Sequence, residues 1–164
     1  PEPCDMAPQG CQWFSLQDRS EVALLAGVAS ARTHLDAFLD AVRTRLSLPS
    51  AALGVLGFSQ GTMTALHTLL RRPEPCGALV GFSGALVGAE TLATELRSHP
   101  PVCLIHGEAD PVVPYGCLTA AEAALRTAKV PVEAHSRPGL GHSIDPEGLE
   151  IALRFLAGHL RNNR

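Results

Sequence analysis

One short stretch of the chain has the residue types and spacing of a serine nucleophile. Ser59 stands between Gly57 and Gly61, at the end of an apolar run and directly before a helical pattern. A serine at a tight turn from strand to helix presents its hydroxyl clear of the fold, and the amides of the helix face the developing oxyanion. We expect glycine at 57 and 61 because Cβ atoms there would collide with strand and helix. The alternative is an ordinary turn, since Gly and Ser are common turn residues.

Two later segments supply candidates for the base and the acid that a serine nucleophile needs. Asp110 lies in "HGEADPVVP", directly after an apolar run, and His142 lies in "PGLGHSIDP", between the last strand pattern and the last helical pattern. The order serine, acid, histidine along the chain is the one found where a parallel α/β sheet carries the nucleophile. The three residues together predict acyl transfer by Ser59, with His142 as base and Asp110 as the acid that orients it.

Other residues compete for these roles. Glu108 is nearer the strand than Asp110, and Asp145 is better explained as the cap of the last helix. Ser83 in "GFSGAL" also follows a strand pattern, but its second glycine comes one residue early, so we assign it a structural role. Five other histidines lie within strand or helix patterns and suit the role of base less well: His34, His67, His106, His135 and His159.

Composition limits the classes of protein that the chain can belong to. The 164 residues predict one domain over residues 1–164, with 46% hydrophobic and 18% charged residues, as in a globular protein. The net charge is -3 and no run of Lys or Arg occurs, which argues against a nucleic-acid partner. No uninterrupted apolar stretch approaches the roughly 20 residues of a membrane span.

The five cysteines are an odd number without a C-x-x-C pair, and three of them lie in apolar runs. This usage favours free thiols in a reducing compartment, so we expect a cytoplasmic protein. No spacing of His, Cys or acidic residues matches a zinc motif, and the predicted chemistry needs neither a metal nor a cofactor.

Strand and helix patterns alternate along the chain. Residues 1–17 read as a loop, and a long helix follows, with Asp18 as N-cap, ending at "LSLPS". Strands are predicted at 52–58, 76–82, 101–107 and 130–136, and further helices at about 60–71, 115–128 and 146–160.

This alternation predicts an α/β fold with a parallel sheet and helices on both faces. The continuous apolar run 52–58 is typical of a strand covered on both faces, and the alternating pattern of 130–136 is typical of a sheet edge. Chemistry in such sheets gathers at the carboxyl ends of the strands, where all three candidate residues are predicted to lie.

The motifs together resemble those of a known family. "GFSQG", "HGEADPVVP", "GLGHSI" and the upstream "QWFSL" are similar to the phospholipase/carboxylesterase family of α/β hydrolases, which includes acyl-protein thioesterases and bacterial carboxylesterases. The similarity runs from about residue 11 onward. It implies Ser59 as nucleophile, Asp110 as acid and His142 as base, with the amide of Gln60 as one oxyanion donor.

The resemblance also implies that Trp13 and Phe14 lie near the acyl-binding side of the site. The alternative for this pair is simply two aromatic residues entering a core. The function implied is hydrolysis of small-molecule or lipid esters, or thioesters, through an acyl-serine intermediate. The alternatives are a catalytically silent fragment that acts as a binding module, and a serine peptidase of the same fold.

The chain departs from the family pattern at its beginning. Family members begin with further strands and a His-Gly-x-Gly type loop that supplies a second oxyanion amide, and no such loop precedes Ser59. We therefore expect an amino-terminally truncated chain that lacks the first strands of the fold. The strand 52–58 would then have one unpaired side, through which we expect self-association.

Overall fold

The computed structural model describes residues 2–5 and 7–161. Its strands are β1 (Glu2–Cys4), β2 (Ala7–Gln12), β3 (Gly54–Phe58), β4 (Ala78–Phe82), β5 (Val102–Gly107) and β6 (Val132–Arg137). Its helices are α1 (Glu21–Leu46), α2 (Gln60–Leu69), α3 (Leu92–Glu95), α4 (Gly116–Thr127) and α5 (Pro146–Arg161), with short 3-10 segments at Ser50–Ala52 and Ala89–Thr91.

The main sheet has four parallel strands in the order β3-β4-β5-β6. Parallel neighbours need a crossover, and α2 and α4 each follow a strand and return the chain to the beginning of the next one. All four strands therefore end at the same side of the sheet. The loops that carry Ser59, Asp110 and His142 leave the sheet there.

Helices cover both faces of the sheet, as the alternating pattern predicted. On one face, Leu79, Val102 and Leu104 pack against buried residues of α2 and α4. On the other face, Val80 and Ile105 belong to a cluster with buried residues of α5. Successive residues of a strand point to opposite faces, so the continuously apolar strands β4 and β5 serve both clusters.

The amino-terminal segment differs from the predicted loop. β1 and β2 form an antiparallel hairpin in which Glu2 is opposite Gln12. The buried side chain of Gln12 holds the hairpin together, since its Nε2 donates to Glu2 Oε1 at 3.1 Å and its Oε1 accepts from the amide of Asp5 at 3.3 Å. Proline and glycine are tolerated in a two-stranded ribbon because its outer edges need no partner.

The beginning of α1 also differs by two residues. Ser20, not Asp18, is the N-cap, and its Oγ accepts from the amide of Ala23 at 3.3 Å. Asp18 supports the cap from outside, because its Oδ1 accepts from the amide of Ser20 at 2.8 Å.

The predicted burial of residues 52–58 is wrong for this chain. β3 pairs only with β4 in the described residues, and its other edge is open. Leu56 is 45% exposed and Phe58 is 37% exposed. Both side chains lie on the face of the sheet where α5 covers the neighbouring strands β4 and β5. An apolar run therefore stands at the edge of the sheet, because no described strand pairs with β3 on that side.

α1 is long and apolar enough, by length and composition alone, to cross a membrane. In the structure it is instead a surface helix of the fold. Its inward residues Val28, Ala31, Leu35 and Leu39 are buried. Asp36 on its polar side forms a salt bridge with Arg72 at 2.7 Å.

Candidate active site

Ser59 stands at a sharply turned position between β3 and α2. Its backbone has φ 53° and ψ -116°, a conformation that non-glycine residues rarely adopt, and its amide donates to the carbonyl oxygen of Phe82 at 2.9 Å. Gly57 is required for the turn, because a Cβ there would lie 2.6 Å from backbone atoms of Gly61 and Thr62. Such strain persists only where the surrounding structure enforces it, and it is common at reactive side chains.

Gly61 does not share that steric requirement. A Cβ at this position would meet only the indole nitrogen of Trp13, at 3.9 Å, which is an ordinary contact. The expectation that both glycines avoid a collision is therefore correct for Gly57 and wrong for Gly61. The first turn of α2 faces open space at Gly61, whereas Gly57 faces the helix backbone itself.

Asp110 is buried at the end of β5 and is held by several donors. Its Oδ1 accepts from the amides of Val112 at 2.8 Å and Val113 at 2.9 Å, and its Oδ2 lies 2.8 Å from Nδ1 of His142. Burial acts to raise the pKa of the Asp110 carboxyl, but the hydrogen bonds from His142, Val113 and Val112 outweigh it, so the pKa lies below its ordinary value. The carboxylate form is thus the one that this pocket stabilises.

His142 lies between Asp110 and the serine turn. Its side chain is 16% exposed, and its ring is 4.8 Å, centroid to centroid, from the ring of Phe58, the residue before Ser59. Nδ1 faces a carboxylate and therefore carries a proton, which leaves Nε2 as the nitrogen free to accept one. Among the hydrogen bonds of the described residues, none joins Ser59 Oγ to this ring.

Gly107 allows the loop of His142 to approach β5. A Cβ at Gly107 would lie 2.2 Å from the carbonyl oxygen of Leu140 and 2.6 Å from that of Gly141. The same loop is joined to the acid loop by a hydrogen bond from the amide of Ala109 to the Leu140 oxygen, at 3.0 Å. Gly107 was not predictable as a site residue from the sequence, since the close approach involves a segment more than 30 residues away.

The rival acids have other roles or positions. Glu108 is exposed. Asp145 is the cap of α5, as predicted, because its Oδ1 accepts from the amide of Gly148 at 2.8 Å. It also forms a salt bridge with Arg137 at 2.8 Å, and this hydrogen bonding lowers the pKa of its carboxyl.

Ser83 resembles Ser59 in backbone conformation but not in access. It has φ 45°, and its amide donates to the carbonyl oxygen of Ile105 at 2.9 Å, as that of Ser59 does to Phe82. Ser83 is only 1% exposed, and its hydroxyl is buried without a hydrogen-bond partner. A buried hydroxyl cannot meet a substrate, which agrees with a structural role.

The side chain of Gln60 has a role that the sequence analysis missed. Its Oε1 accepts from the amide of Trp13 at 3.1 Å, and its Nε2 donates to the carbonyl oxygen of Phe14 at 2.7 Å. These two bonds hold the segment after β2 against the first turn of α2. A polar residue next to the serine was the only sign of this role in the sequence. Its partners could not be predicted, because they lie 46 and 47 residues away in the chain.

The two aromatic residues of that segment have different surroundings. Trp13 lines an open groove of about 520 Å³ beside β3, together with Ser59 and Gly61. Phe14 is 5% exposed and packs against α1, where a Cβ at Gly27 would lie 2.5 Å from its ring. Phe14 is thus a core residue, which is the alternative given above, while the substrate role of Trp13 stays a prediction.

A second cavity, of about 190 Å³, also adjoins Ser59. Its lining is mainly apolar and comes from α1 and the segment before it, the first turns of α2 and α4, and the loops after β4 and β5: Leu16, Arg19, Leu24, Ser59, Gln60, Met63, Ala85, Val112, Val113, Pro114 and Cys117. An apolar cavity that reaches the serine can take an acyl chain.

Away from the serine, Cys103, Glu133 and His135 bring one potential metal ligand each to within 4.8 Å of one another. Burial raises the pKa of the Cys103 thiol to about 12, so it is protonated at neutral pH. Nε2 of His135 lies 3.4 Å from Glu133 Oε2, so these two already form a pair at the surface.

Sequence comparisons identify the family of the chain. The chain matches the Phospholipase/Carboxylesterase family over residues 1–160. It is 31% identical over 153 residues to the esterase YpfH of Escherichia coli, covering 91% of this chain and 63% of that protein. It is 33% identical over 109 residues to acyl-protein thioesterase 1 of Gibberella zeae, covering 63% of this chain and 46% of that protein. The chain thus spans less than two thirds of the length of these curated relatives.

Solved structures show the same fold. The crystal structure of esterase PE8 superposes with a TM-score of 0.93 at 41% identity, covering 98% of this chain and 75% of that chain. The crystal structure of acyl-protein thioesterase 2 of Zea mays superposes with a TM-score of 0.72 at 30% identity, covering 90% of this chain and 72% of that chain.

The parallel sheet, its helices on both faces and the serine turn at the end of β3 define an α/β hydrolase. Within that class, the chain belongs to the phospholipase/carboxylesterase family, whose related members include esterases and acyl-protein thioesterases.

Proposed function

We propose that this protein hydrolyses carboxylic esters or thioesters through an acyl-serine intermediate on Ser59, with His142 as base and Asp110 as orienting acid. The observation that carries the proposal is the partly buried 2.8 Å hydrogen bond between Asp110 and His142, beside a serine with a strained backbone. A serine hydroxyl is a weak nucleophile by itself, and this pairing is the arrangement that activates it.

The proposed steps are those of acyl transfer to an activated serine. The Ser59 hydroxyl attacks the carbonyl carbon while Nε2 of His142 takes its proton, and the carbonyl oxygen becomes an oxyanion. The proton then passes from His142 to the leaving alcohol or thiol, whose bond to the carbonyl carbon breaks. Water repeats the sequence, releasing the carboxylic acid and regenerating Ser59. Asp110 keeps the proton on Nδ1 throughout and stabilises the imidazolium.

The oxyanion is assigned to the amino-terminal end of α2. The amide of Gln60 follows Ser59 directly, and the first amides of a helix have no partner within the helix and carry a partial positive charge. The side chain of Gln60 is engaged with the backbone of Trp13 and Phe14, so only its amide is assigned to the oxyanion. One such donor typically contributes a factor of ~10²–10³ in turnover.

The two cavities beside Ser59 suit the two parts of an ester. We assign the acyl chain to the apolar 190 Å³ cavity, whose size favours short to medium chains. The groove of 520 Å³ along β3 is larger and has Trp13 on its wall, and we assign the alcohol or thiol part to it. Small-molecule esters and single-chain lipid esters both fit this division.

The proposal extends to the compartment and to the cofactor requirement. All five cysteines are free, which suits the reducing cytoplasm that the composition favours. Every group in the proposed steps is a side chain or an amide of the chain itself, so the proposal includes no metal or cofactor.

A panel of substrates tests this function against its alternatives. We expect hydrolysis of p-nitrophenyl esters from acetate to decanoate and of acyl thioesters, with little hydrolysis of aminoacyl p-nitroanilides. Ser59→Ala should abolish it, and Ser83→Ala is the matched control. Preference for the anilides would indicate a peptidase instead. Absence of all three activities in a folded chain would favour a binding module.

A further inference from the structure

His106 lies on β5, four residues before Asp110, and is 2% exposed. Its Nε2 is 2.9 Å from the carbonyl oxygen of Val113. A carbonyl oxygen only accepts hydrogen bonds, so Nε2 carries a proton. The bond ties the far end of the acid loop back to the strand from which the loop departs.

The same nitrogen lies 3.4 Å from Oδ2 of Asp110, whose side chain is completely buried. Two rings therefore face this one oxygen, His142 at 2.8 Å and His106 at 3.4 Å. The other oxygen of Asp110 is occupied by the amides of Val112 and Val113. Together these groups determine the orientation of the carboxylate.

The ring of His106 is also fixed from its other side. The ring of Tyr115 approaches it edge-on, with centroids 6.2 Å apart and planes at 80°. His106 is not placed to serve as the base for Ser59, since its Nε2 is engaged with Val113 and the residue lines neither of the two cavities beside Ser59. It can act on the reaction only through Asp110.

We propose that His106 is a positioning residue for the acid, an inference that rests on the proposed function. Its N–H holds the Val113 end of the acid loop and directs Oδ2 of Asp110 toward His142. Without this donor, the loop loses its tie to β5, and the Asp110–His142 bond loses its alignment. A hydrogen bond to a charged group typically contributes a factor of about 10 to 100 in an equilibrium. Because Nε2 of His106 faces the Asp110 carboxylate as well as the Val113 oxygen, we expect an effect of this size on turnover.

Three variants separate this role from simple packing. His106→Phe keeps a ring but has no N–H, His106→Leu is a second variant without a donor, and His106→Gln keeps an N–H that can reach Val113. For a p-nitrophenyl ester, we expect kcat to fall about tenfold to a hundredfold in the Phe and Leu variants, with KM little changed. His106→Gln should recover most of kcat. Equal losses in all three variants would contradict the proposal.

A double-mutant cycle tests whether His106 acts through Asp110. In an Asp110→Asn background, removal of the His106 donor should cost little further kcat, since the oriented carboxylate is already gone. The same proportional loss in both backgrounds would show an independent structural effect and overturn the proposal.

A readout that does not need activity completes the experiment. The proton between Asp110 and His142 gives a low-field resonance in the NMR spectrum, which should shift or broaden in His106→Phe and be retained in His106→Gln. An unchanged resonance in a folded His106→Phe would overturn the proposal.

Failure of both donorless variants to fold would assign His106 a structural role and overturn the proposal as well. If Ser59→Ala leaves hydrolysis unchanged, the proposed function fails, whereas this resonance still tests His106.

Discussion

Oδ2 of Asp110 lies 2.8 Å from Nδ1 of His142, although 32 residues separate them in the chain. The contact arises because β5 and β6 are parallel neighbours whose carboxyl ends adjoin. The loop after β5 carries the carboxylate, and the loop after β6 carries the imidazole. This side-chain hydrogen bond, together with the backbone bond from the amide of Ala109 to the oxygen of Leu140, joins the two loops beside Ser59.

Asp110→Asn tests the role of this bond. The amide NH2 of asparagine would donate to Nδ1, which forces the proton onto Nε2 and leaves no acceptor for the Ser59 proton. We expect turnover of a p-nitrophenyl ester to fall by a factor on the order of 10⁴ with the thermal unfolding midpoint nearly unchanged. Activity within tenfold of the wild type would transfer the acid role to Glu108 or Asp145.

Gly107→Ala tests the packing of the His142 loop on β5. The new Cβ would lie 2.2 Å from the backbone oxygen of Leu140, so the loop must move. We expect a loss of about 1–3 kcal/mol in the free energy of unfolding and about 10²-fold in turnover. Gly116→Ala is the matched control, since its Cβ would meet no atom within 4 Å. Similar effects of the two substitutions would show that Gly107 does not position the loop.

The sequence could predict the parts of this site that have local signatures. Ser59 lies in a pentapeptide with its own turn chemistry, and Asp110 and His142 follow strand patterns in a fixed order. Gly107 and the side chain of Gln60 were missed because each acts on a segment distant in sequence.

Contacts between segments distant in sequence also limited the prediction of the fold. The strands β4 and β5 were predictable from continuous apolar runs, because the pattern itself reflects burial on both faces. The pattern of β3 is equally apolar, yet β3 stands at the open edge of the sheet. Burial depends on neighbours as well as on composition, and the hairpin of β1 and β2 depends on cross-strand contacts of Gln12 that no local pattern reveals.

His67 should make stability depend on pH. It is 4% exposed, and burial, followed by the nearby Arg71 charge, lowers its pKa to about 4. The unfolded chain, with an ordinary histidine pKa near 6.5, therefore binds more protons between pH 6.5 and 4, so stability falls as the pH falls through that window. This residue should account for about 2 kcal/mol of loss between pH 7 and pH 5.

Urea unfolding at pH 7 and pH 5 measures this contribution. His67→Gln should lose less stability across the window than the wild type, and His34→Gln, at an exposed position of α1, should behave as the wild type does. An equal pH dependence in the wild type and in His67→Gln would contradict the burial effect.

The open edge of β3 should promote self-association. Its backbone groups on that side have no strand partner in the described residues, and Leu56 is 45% exposed beside them. We expect the chain to form dimers or larger species in size-exclusion chromatography with light scattering.

Leu56→Lys should reduce the fraction of dimers and larger species, because a charge on an edge strand discourages pairing. Leu153→Lys on α5, where Leu153 is 56% exposed, is the control. A wild-type monomer of 17.2 kDa at all concentrations would contradict the expectation.

Covalent labelling of Ser59 tests the central claim most directly. A fluorophosphonate reacts with a serine only where a base activates the hydroxyl, and mass spectrometry of the digested protein locates the adduct. We predict one adduct, on the peptide that contains Ser59, with labelling lost in Ser59→Ala, strongly slowed in Asp110→Asn and retained in Ser83→Ala. A folded wild-type chain that takes no label, or a label on any other serine, would contradict the assignment of Ser59 as the nucleophile.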